Sequence, residues 1–324
     1  MSVKAGIVVL SWNGGEQTLA CVDSVRTQEY PGKFLVLVDN NSQPEQRELL
    51  RRRYIAAAEV RCCFLDENRG YAGGNNAGIA VALAQGAEVV VIVTQDVILA
   101  PGALAAMVAA AGEAGVGIVG PTVVDARDPR RVLSMGERVR IPWLCVPRTL
   151  LRYRRPRHAP YDVGGVLGCV MLLTRRCLES AGGFDEEFFA YYEEVDLCLR
   201  ARAHGFRIVC APQALVTHDG MRGFLAGFTE LSAELKARNL VRLMRRWALA
   251  TDWLLLAPTY CLLVAVSVTL YGLRGRGDVI AALARGAVAG VRGRSGVPDS
   301  LAGAARLGLA APSAKPYQGP PELL

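Results

Sequence analysis

Residues 5–15 read AGIVVLSWNGG, a short apolar run rich in β-branched residues that closes on Asn-Gly-Gly. Such a run predicts a buried strand over 5–12. Similar runs follow at 34–38, 60–65 and 88–93. The segments around them predict helices at about 16–28, 44–58, 75–85 and 103–111. Nearly all-apolar strands that alternate with helices predict an α/β fold, a mostly parallel sheet covered by helices on both faces.

Four polar side chains follow the ends of these predicted strands: Asn13, Asp39, Asn68 and Asp96. Ligands of such sheets bind beyond the carboxyl ends of the strands, so these residues predict one site. Asp39 is either a partner for a ribose or a pyrimidine N–H, or the acceptor of a local turn. Asp96 either caps a turn or binds Mg²⁺ or Mn²⁺ on a substrate phosphate, with His218 as a candidate second ligand.

A glycine-rich segment, NRGYAGGNNAG, occupies residues 68–78. We expect a turn here that leads into a helix from about Asn75. Glycines in such a turn let the backbone approach a diphosphate at the helix N-terminus. The spacing is not G-x-G-x-x-G, and the Gly-Lys-Ser/Thr of a P-loop is missing. Both facts argue against a nicotinamide-dependent enzyme or an ATPase.

Carboxylates and aromatic rings alternate at residues 184–197, which read FDEEFFAYYEEVDL. Aromatic faces suit a sugar, and apolar surroundings raise the proton affinity of a carboxylate. A general base must lie within hydrogen-bond reach of an acceptor hydroxyl. The candidates are Glu193, Glu194 and Asp196.

The 324 residues carry a formal charge of +7 and are 52% hydrophobic. The charge suits an anionic partner, but no nucleic-acid-binding module is recognisable, so we expect no nucleic acid. The nine cysteines include no C-x-x-C pair, and the apolar run at 6–12 is too short for a signal peptide. We therefore expect a catalytic part in the reducing cytoplasm.

The C-terminal part differs in composition. Residues 253–273 carry no charge and are long enough to cross a bilayer, although Pro258 interrupts them and arginines flank both ends. Interfacial or hairpin insertion, a true span and a buried soluble helix all remain open. A shorter Ala-rich segment follows at 279–291. Earlier in the chain, residues 125–160 are rich in Arg and Pro, which favours either a long excursion over the site or membrane, or a solvated loop.

Together these segments resemble glycosyltransferase family 2, especially the bacterial rhamnosyltransferase-like branch that builds cell-envelope polysaccharides. The matching pieces run in order from residue 5 to about 245. Besides the segments above, they include VDNNS at 38–42, TQD at 94–96, GCVMLLTRR at 168–176 and Arg238-Asn239-Leu240. The resemblance implies a GT-A fold, in which one nucleotide-binding α/β domain carries an acceptor-side portion.

The resemblance also implies a role for each motif residue. Glu194 is implied as the general base, and Asp96 with His218 as ligands of a Mg²⁺ or Mn²⁺ ion. Nucleotide-sugar contacts are implied for Ser11, Asn13, Asp39, Asn41, Asn68, Gly73, Asn76 and Gln95. Acceptor-side contacts are implied for Gly168, Glu193 and Asp196.

The implied reaction is metal-dependent, inverting transfer of a sugar, rhamnose being one candidate, from a nucleoside-diphosphate sugar to a hydroxyl of a lipid-linked or polysaccharide acceptor. Two positions depart from the family's pattern. Gln95 belongs to a motif that is usually Asn-Pro-Asp or Asp-x-Asp, and Glu194 stands where Asp is usual. These departures keep open a non-catalytic carbohydrate- or nucleotide-binding relative. A nucleotidyltransferase is the other alternative, although SWNGGE at 11–16 lacks the basic residues that a triphosphate needs.

We expect three parts in the chain. A GT-A domain covers 1–245, an apolar and amphipathic helical membrane-associated region covers 246–293, and a flexible tail covers 294–324. A lipid-linked acceptor implies a location at the cytoplasmic face of the cell membrane, peripheral or anchored by residues 253–273. The apolar C-terminal region is also compatible with an oligomer.

Overall fold

The computed structural model of the protein describes residues 2–145, 158–219, 228–298 and 301. Most of the expected flexible tail, and positions 146–157 of the Arg-rich stretch, lie outside the described residues. Strands β1–β10 are, in chain order, Ala5–Ser11, Lys33–Asp39, Val60–Phe64, Val89–Thr94, Val97–Leu99, Val116–Asp125, Val132–Ser134, Tyr161–Asp162, Val170–Thr174 and Arg207–His218. Helices α1–α9 are Glu16–Arg26, Pro44–Tyr54, Gly70–Ala84, Ala103–Ala111, Arg175–Ala181, Glu193–Ala203, Glu230–Trp247, Trp253–Gly272 and Gly277–Val291. Short 3₁₀ turns cover Ile141–Trp143, Glu186–Phe188 and Ala250–Asp252.

The ten described strands form one sheet in the order β3-β2-β1-β4-β9-β6-β10-β5, with β7 beside β6 and β8 beside β10. β3, β2, β1 and β4 are parallel to one another, as the sequence predicts for the first hundred residues. β9 is antiparallel to both of its neighbours, β4 and β6, so the sheet as a whole is mixed. Ser11 pairs with Asp39 and Leu10 with Thr94, so the carboxyl ends of three strands meet at one edge.

Helices cover both faces of this sheet. Successive side chains of a strand point to opposite sides, so each strand contributes to the core on either face. In β1, Ile7 and Val9 pack into a core that includes Val22 of α1 and Met107 of α4. Val8 of the same strand packs into a second core, with residues of α3 and α6. The alternation explains why the strand is apolar throughout rather than at every second position.

The glycine-rich segment is helical, which corrects the prediction of a turn before a helix at Asn75. Helix α3 begins at Gly70 and continues through the whole segment. A Cβ atom at Gly74 would lie 2.6 Å from Leu10, and one at Gly78 would lie 2.2 Å from Val8. These glycines therefore allow α3 to pack closely on β1. Within the segment 68–78, Gly70 is the one residue with the left-handed φ that a turn requires, +69°.

Part of the Arg-rich stretch 125–160 joins the sheet. β7 pairs with β6, and β8, which follows the stretch directly, pairs with β10. Between them, Glu137 forms an isolated bridge with Gly165. Each of these strands is only two or three residues long and lies among charged residues, so neither is recognisable as a strand in the sequence.

Three helices complete the described chain. Thr229 caps α7, and its Oγ1 accepts a hydrogen bond from the Ser232 N–H at 3.2 Å. Helix α9 lies directly against α7. A Cβ atom at Gly286 would lie 2.1 Å from the Glu234 carbonyl oxygen, and one at Gly290 would lie 2.7 Å from the Arg238 carbonyl oxygen. Two glycines one turn apart thus let the two backbones touch.

Helix α8 continues unbroken through Pro258. Within the described residues, the stretch Ala250–Gly272 is the one helical segment long and apolar enough, by length and composition, to cross a membrane. Only 11% of it is buried by the rest of the protein, and Leu254 is 81% exposed. Such an exposed apolar helix is not the core helix of a soluble domain.

Candidate active site

A cavity of about 750 Å³ opens where β1 and β4 end. One wall carries residues that follow strands of the parallel half: Trp12, Asn40, Asn68, Gln95 and Asp96. We call it the donor wall, after the nucleotide-sugar contacts that the family resemblance implies. The opposite wall, the acceptor wall, is the segment Phe189–Glu194. A volume of this size is typical of small-molecule sites.

Asp39 is fully buried beneath the donor wall, at the end of β2. Its Oδ2 lies 3.4 Å from the Ser42 N–H nitrogen and 3.5 Å from Nε of Arg47. Its Oδ1 is buried and has no hydrogen-bond partner among the described residues. A buried acceptor without a partner is costly in a finished structure. Asp39 is not among the described residues that line the cavity, so a ligand N–H or O–H would reach this oxygen only if the donor wall above it moved.

Asn40, rather than the predicted Asn41, lines the cavity. Its Nδ2 donates to Oδ1 of Asn68 and to the carbonyl of Gly70, both at 3.0 Å, and its Oδ1 accepts from the Arg69 N–H at 3.0 Å. Asn41 is exposed, with a left-handed φ of +60°. Both asparagines suit a turn equally well, so only the fold decides that Asn40 is the one that points inward.

The segment after β1 is fixed by side chains of other segments. Oγ of Ser11 is 2.9 Å from Oγ1 of Thr18, and the Asn13 N–H donates to Oγ of Ser42 at 2.9 Å. Gln95 binds the backbone of Trp12 on both sides, since its Oε1 accepts from the N–H at 2.7 Å and its Nε2 donates to the carbonyl at 3.1 Å. A carboxylate at position 95 could accept the hydrogen bond from the Trp12 N–H but could not donate one to the Trp12 carbonyl. The two contacts with Trp12 therefore explain a glutamine at this position.

Gly73 and Asn76 are not among the described residues that line the cavity. Asn76 instead joins α3 to the acidic segment: its Nδ2 donates to the Phe184 carbonyl at 2.8 Å, and its Oδ1 accepts from the Phe184 N–H at 2.9 Å. A Cβ atom at Gly73 would lie 2.7 Å from Cβ of Arg69. Both residues therefore contribute to the packing around the site and do not form part of its surface.

Asp96 and His218 lie together, although 122 positions separate them in the sequence. Strand β10 pairs with β5 so that His218 lies opposite Val97, and Nε2 of His218 is 3.2 Å from Oδ2 of Asp96. Burial alone would raise the pKa of Asp96. The attraction of His218 and hydrogen bonds from His218 and Thr94 outweigh burial and hold that pKa below its usual value.

Tyr71 connects the two walls. Its hydroxyl donates to the carbonyl of Gly168, a residue that also lines the cavity. Burial, and then the charges of Glu193 and Glu194, raise the pKa of Tyr71 well above its usual value, so the hydroxyl keeps its proton and remains a donor. Gly168 therefore lies close to Glu194, and a Cβ atom there would be 3.4 Å from Cβ of Glu194.

Glu193 and Glu194 are the first two residues of α6 and are only 4% and 7% exposed. The partial positive charge of the helix N-terminus stabilises carboxylates at this position. The backbone before them is strained, with left-handed φ values of +64°, +71° and +74° at Phe189, Tyr191 and Tyr192. Strained backbone of this kind persists only where surrounding contacts hold it, and it concentrates at functional sites.

Those contacts come from Arg238 and Asn239 of α7, a pair to which the family resemblance implies no role. Nδ2 of Asn239 lies 2.8–2.9 Å from the carbonyl oxygens of Phe188, Ala190 and Tyr191. The Arg238 guanidinium donates to the Phe188 carbonyl at 2.9 Å. Their adjacent position in a polar Arg-Asn pair, late in the matching motifs, was the one available signal.

Asp196 does not face the cavity, so the structure gives no support to its predicted acceptor-side contact. It is fully buried; its Oδ2 accepts from Nε of Arg200 at 2.7 Å and its Oδ1 accepts from the indole N–H of Trp247 at 2.9 Å. Asp196 lies two residues beyond Glu194 on a helix, which turns its side chain to another face.

The α/β sheet carries a buried acid beneath the donor wall, an acid–imidazole pair at the strand ends and buried carboxylates opposite that pair. This is the architecture of a GT-A glycosyltransferase. The chain belongs to the family described as Glycosyltransferase like family 2, whose model matches residues 4–250. The family and fold expected from the motifs are thereby confirmed.

Among curated relatives, the chain is 28% identical over 210 residues to the N-acetylglucosaminyl-diphospho-decaprenol L-rhamnosyltransferase of Mycobacterium tuberculosis; the match covers 57% of this chain and 66% of that one. Among solved structures, it resembles the mannosyltransferase PcManGT of Pyrobaculum calidifontis in complex with GDP-Man and Mn²⁺, with a TM-score of 0.56, 20% identity and coverage of 90% and 88%. It also resembles GalNAc-T7 with UDP, GalNAc and Mn²⁺, with a TM-score of 0.62, 17% identity and coverage of 76% and 48%.

Proposed function

We propose that the protein is an inverting glycosyltransferase that moves a sugar from a nucleoside-diphosphate sugar to a hydroxyl of a lipid-linked or polysaccharide acceptor. The observation that carries this proposal is a single cavity lined by Asp96 and His218 on one side and by Glu193 and Glu194 on the other. The name of the mycobacterial relative supports a lipid-linked acceptor and makes rhamnose the first donor sugar to test.

In the proposed reaction, the carboxylate of Glu194 accepts the proton of the acceptor hydroxyl. The acceptor oxygen forms a bond to the anomeric carbon while the bond from that carbon to the diphosphate oxygen breaks. The nucleoside diphosphate leaves with the electron pair. Attack from the side opposite the leaving group inverts the anomeric centre, and the helix N-terminus at Glu194 favours the ionised base.

Asp96 and His218 fit a divalent cation in part. Neighbouring ligands of an octahedral ion lie about 3 Å apart, and Nε2 of His218 is 3.2 Å from Oδ2 of Asp96. Within the described residues, no group of three or more His, Cys, Asp or Glu side chains could hold a metal. Diphosphate oxygens and water would therefore complete the shell, as is usual for Mg²⁺. A bound cation would stabilise the negative charge of the departing diphosphate.

We also propose that α8 holds the protein at the cytoplasmic face of the membrane, residues 1–245 carrying the transfer reaction and 246–293 the membrane contact. The exposed apolar surface of α8 supports this assignment. Leu254→Asp with Leu262→Asp, both at exposed positions, should reduce co-flotation with anionic vesicles while donor hydrolysis persists. Unchanged flotation of the double variant would count against membrane docking through α8.

The central experiment measures binding and hydrolysis of a panel of nucleotide sugars, with Mg²⁺, with Mn²⁺ and with chelator. Asp96→Ala and Glu194→Ala are assayed beside the wild type, and the anomeric configuration of the product is determined by NMR. The proposal expects metal-dependent binding of one donor that Asp96→Ala loses, turnover that Glu194→Ala loses, and an inverted product.

Other outcomes separate the alternatives. Tight donor binding without turnover, even with membrane extract as the acceptor, would identify a non-catalytic relative. A retained anomeric configuration would reject direct displacement, and no binding of any nucleotide sugar would reject the proposed function as a whole.

A further inference from the structure

The cavity does not end at the acceptor wall. It continues between the C-terminal helices as an apolar arm, which we define by Leu235 of α7, Leu263 and Val268 of α8, and Leu283, Ala284 and Ala287 of α9. The arm is continuous with the space in front of Glu193 and Glu194. A sugar and its nucleotide are polar, so neither would be stabilised in a passage lined by aliphatic side chains.

A cationic side chain marks the junction of the two ends. Lys236 lines the cavity, and its Nζ lies 4.7 Å from the ring centroid of Tyr191 and 4.3 Å from that of Phe228. Tyr191 belongs to the acceptor wall, whereas Phe228 packs against Tyr271 of α8. Lys236 is the one permanently charged cation among the described lining residues. An anionic group between a sugar and an apolar chain would meet it there.

The arm also lies beside the part of the protein that faces an apolar medium. The two sides of α8 differ: Leu263 lines the arm, whereas Leu262 is not among the described lining residues and is 64% exposed. A helix of this kind can remain in a bilayer while its inner side forms the wall of a passage. With α8 in a bilayer, a membrane lipid would reach the arm without crossing water.

We propose that the apolar arm binds the hydrocarbon chain of a lipid diphosphate-linked acceptor, with Lys236 at its diphosphate and its sugar hydroxyl at Glu194. This inference rests on the proposed transferase function, whose acceptor class it makes specific. The order of groups along the cavity (carboxylates, one cation, aliphatic side chains) matches the order hydroxyl, diphosphate, hydrocarbon in such a lipid. Burial of the chain would supply most of the acceptor's affinity.

The test measures binding of geranyl, farnesyl and geranylgeranyl diphosphate to the full chain, with inorganic diphosphate and geranylgeraniol as reference probes. Binding should tighten by about tenfold or more for each added isoprene unit until the arm is full, since one buried methylene contributes about fourfold. Ala287→Trp fills the arm and should abolish this chain-length dependence. Val266→Trp, on α8 but outside the cavity lining, is the matched control and should retain it.

A further variant tests the cation. Lys236→Met should lower the preference for geranylgeranyl diphosphate over geranylgeraniol by about tenfold, a charge-assisted contact being removed. If Ala287→Trp fails to fold, as judged by thermal unfolding and donor binding, Ala284→Phe at an exposed position of the arm replaces it. Chain-length dependence that persists in the folded arm variants, or that is missing from the wild type, overturns the proposal.

Donor hydrolysis is measured on the same samples. Donor hydrolysis without chain-length dependence rejects the arm and leaves the transferase function standing. Chain-length dependence that Ala287→Trp abolishes, together with no binding or hydrolysis of any nucleotide sugar, rejects the transferase function and leaves the arm standing as a lipid site.

Discussion

The donor wall and the acceptor wall of the cavity are built in different ways. The donor wall consists of residues at the ends of adjacent parallel strands, within the first hundred positions. The acceptor wall is a strained loop together with the first two residues of α6, and the loop is held by Arg238 and Asn239, about fifty positions later. Strand order therefore fixes one wall, and side-chain contacts over long range fix the other. We expect that mutations can change donor binding and turnover separately.

The largest expected effect concerns the acceptor wall alone. Glu194→Gln keeps the size of the side chain but removes the base, so turnover should fall by about 10²- to 10⁴-fold while donor affinity is unchanged. Glu193→Gln, at the neighbouring buried position, should have a much smaller effect. Steady-state kinetics with a saturating donor measure both. Equal losses in the two variants would show that the pair acts together or that the base is Glu193.

A substitution at Gly70 should break the separation of the two walls. Gly70 has a φ of +69°, and a Cβ atom there would lie 2.3 Å from the Phe189 carbonyl oxygen. Gly70→Ala should lower the free energy of unfolding by about 3 kcal/mol, from backbone strain and overlap together. Both donor affinity and turnover should fall. Gly102→Ala is the control, with a φ of +78° and nothing within 4 Å; it should cost only the conformational part. Similar losses of stability in both would refute the role of contact with the acceptor wall.

Asp39→Asn should affect the donor wall alone. The change removes the charge of a fully buried acceptor whose Oδ1 has no partner among the described residues. The donor KM should rise by about 10- to 100-fold, the range of one hydrogen bond to a charged group, with kcat nearly unchanged. Asp162→Asn, an exposed partner of Arg207, serves as control. A lower kcat with an unchanged KM would place Asp39 outside donor binding.

Asn239→Ala should show the reverse pattern, at a smaller magnitude. It removes the amide that contacts three carbonyl oxygens of the acceptor loop. We expect kcat to fall about tenfold, as for a loss of roughly 1–1.5 kcal/mol of loop stabilisation, with donor affinity unchanged. Asn75→Ala removes a buried asparagine whose side chain, among the described residues, bonds only to Tyr71 of the same helix, and it should leave kcat intact. Weaker donor binding by Asn239→Ala would contradict the independence of the walls.

The contrast also explains what the sequence could predict. Apolar runs and the polar residues after them are local signals, so β1, β2 and β4 and the positions of Asp39 and Asp96 were predictable. Asn76 and Asp196 were assigned to ligand contacts. Asn76 instead bonds Phe184, 108 positions away, and Asp196 bonds Trp247, 51 positions away, besides Arg200 on its own helix. No periodicity reports such contacts, because they exist only after the helices pack.

The short strands show the same limit for the fold. β5 has three residues and β8 has two, lengths at which propensity carries little information. β9 was recognisable as apolar, but its antiparallel insertion between β4 and β6 was not. A long connection can return to a sheet in either direction, and register is settled by the neighbours that it meets.

The close contact between α7 and α9 has a consequence for protein production. The family match ends at residue 250, and a natural strategy for a soluble sample is to delete everything after it. Gly286 and Gly290 of the deleted part lie against the backbone of α7 at Glu234 and Arg238. A shortened chain would leave that helix surface bare, beside the residues that hold the acceptor loop. Detergent or nanodisc preparations of the full chain are the safer material for kinetics, since α9 packs against the part of α7 that contacts the acceptor wall.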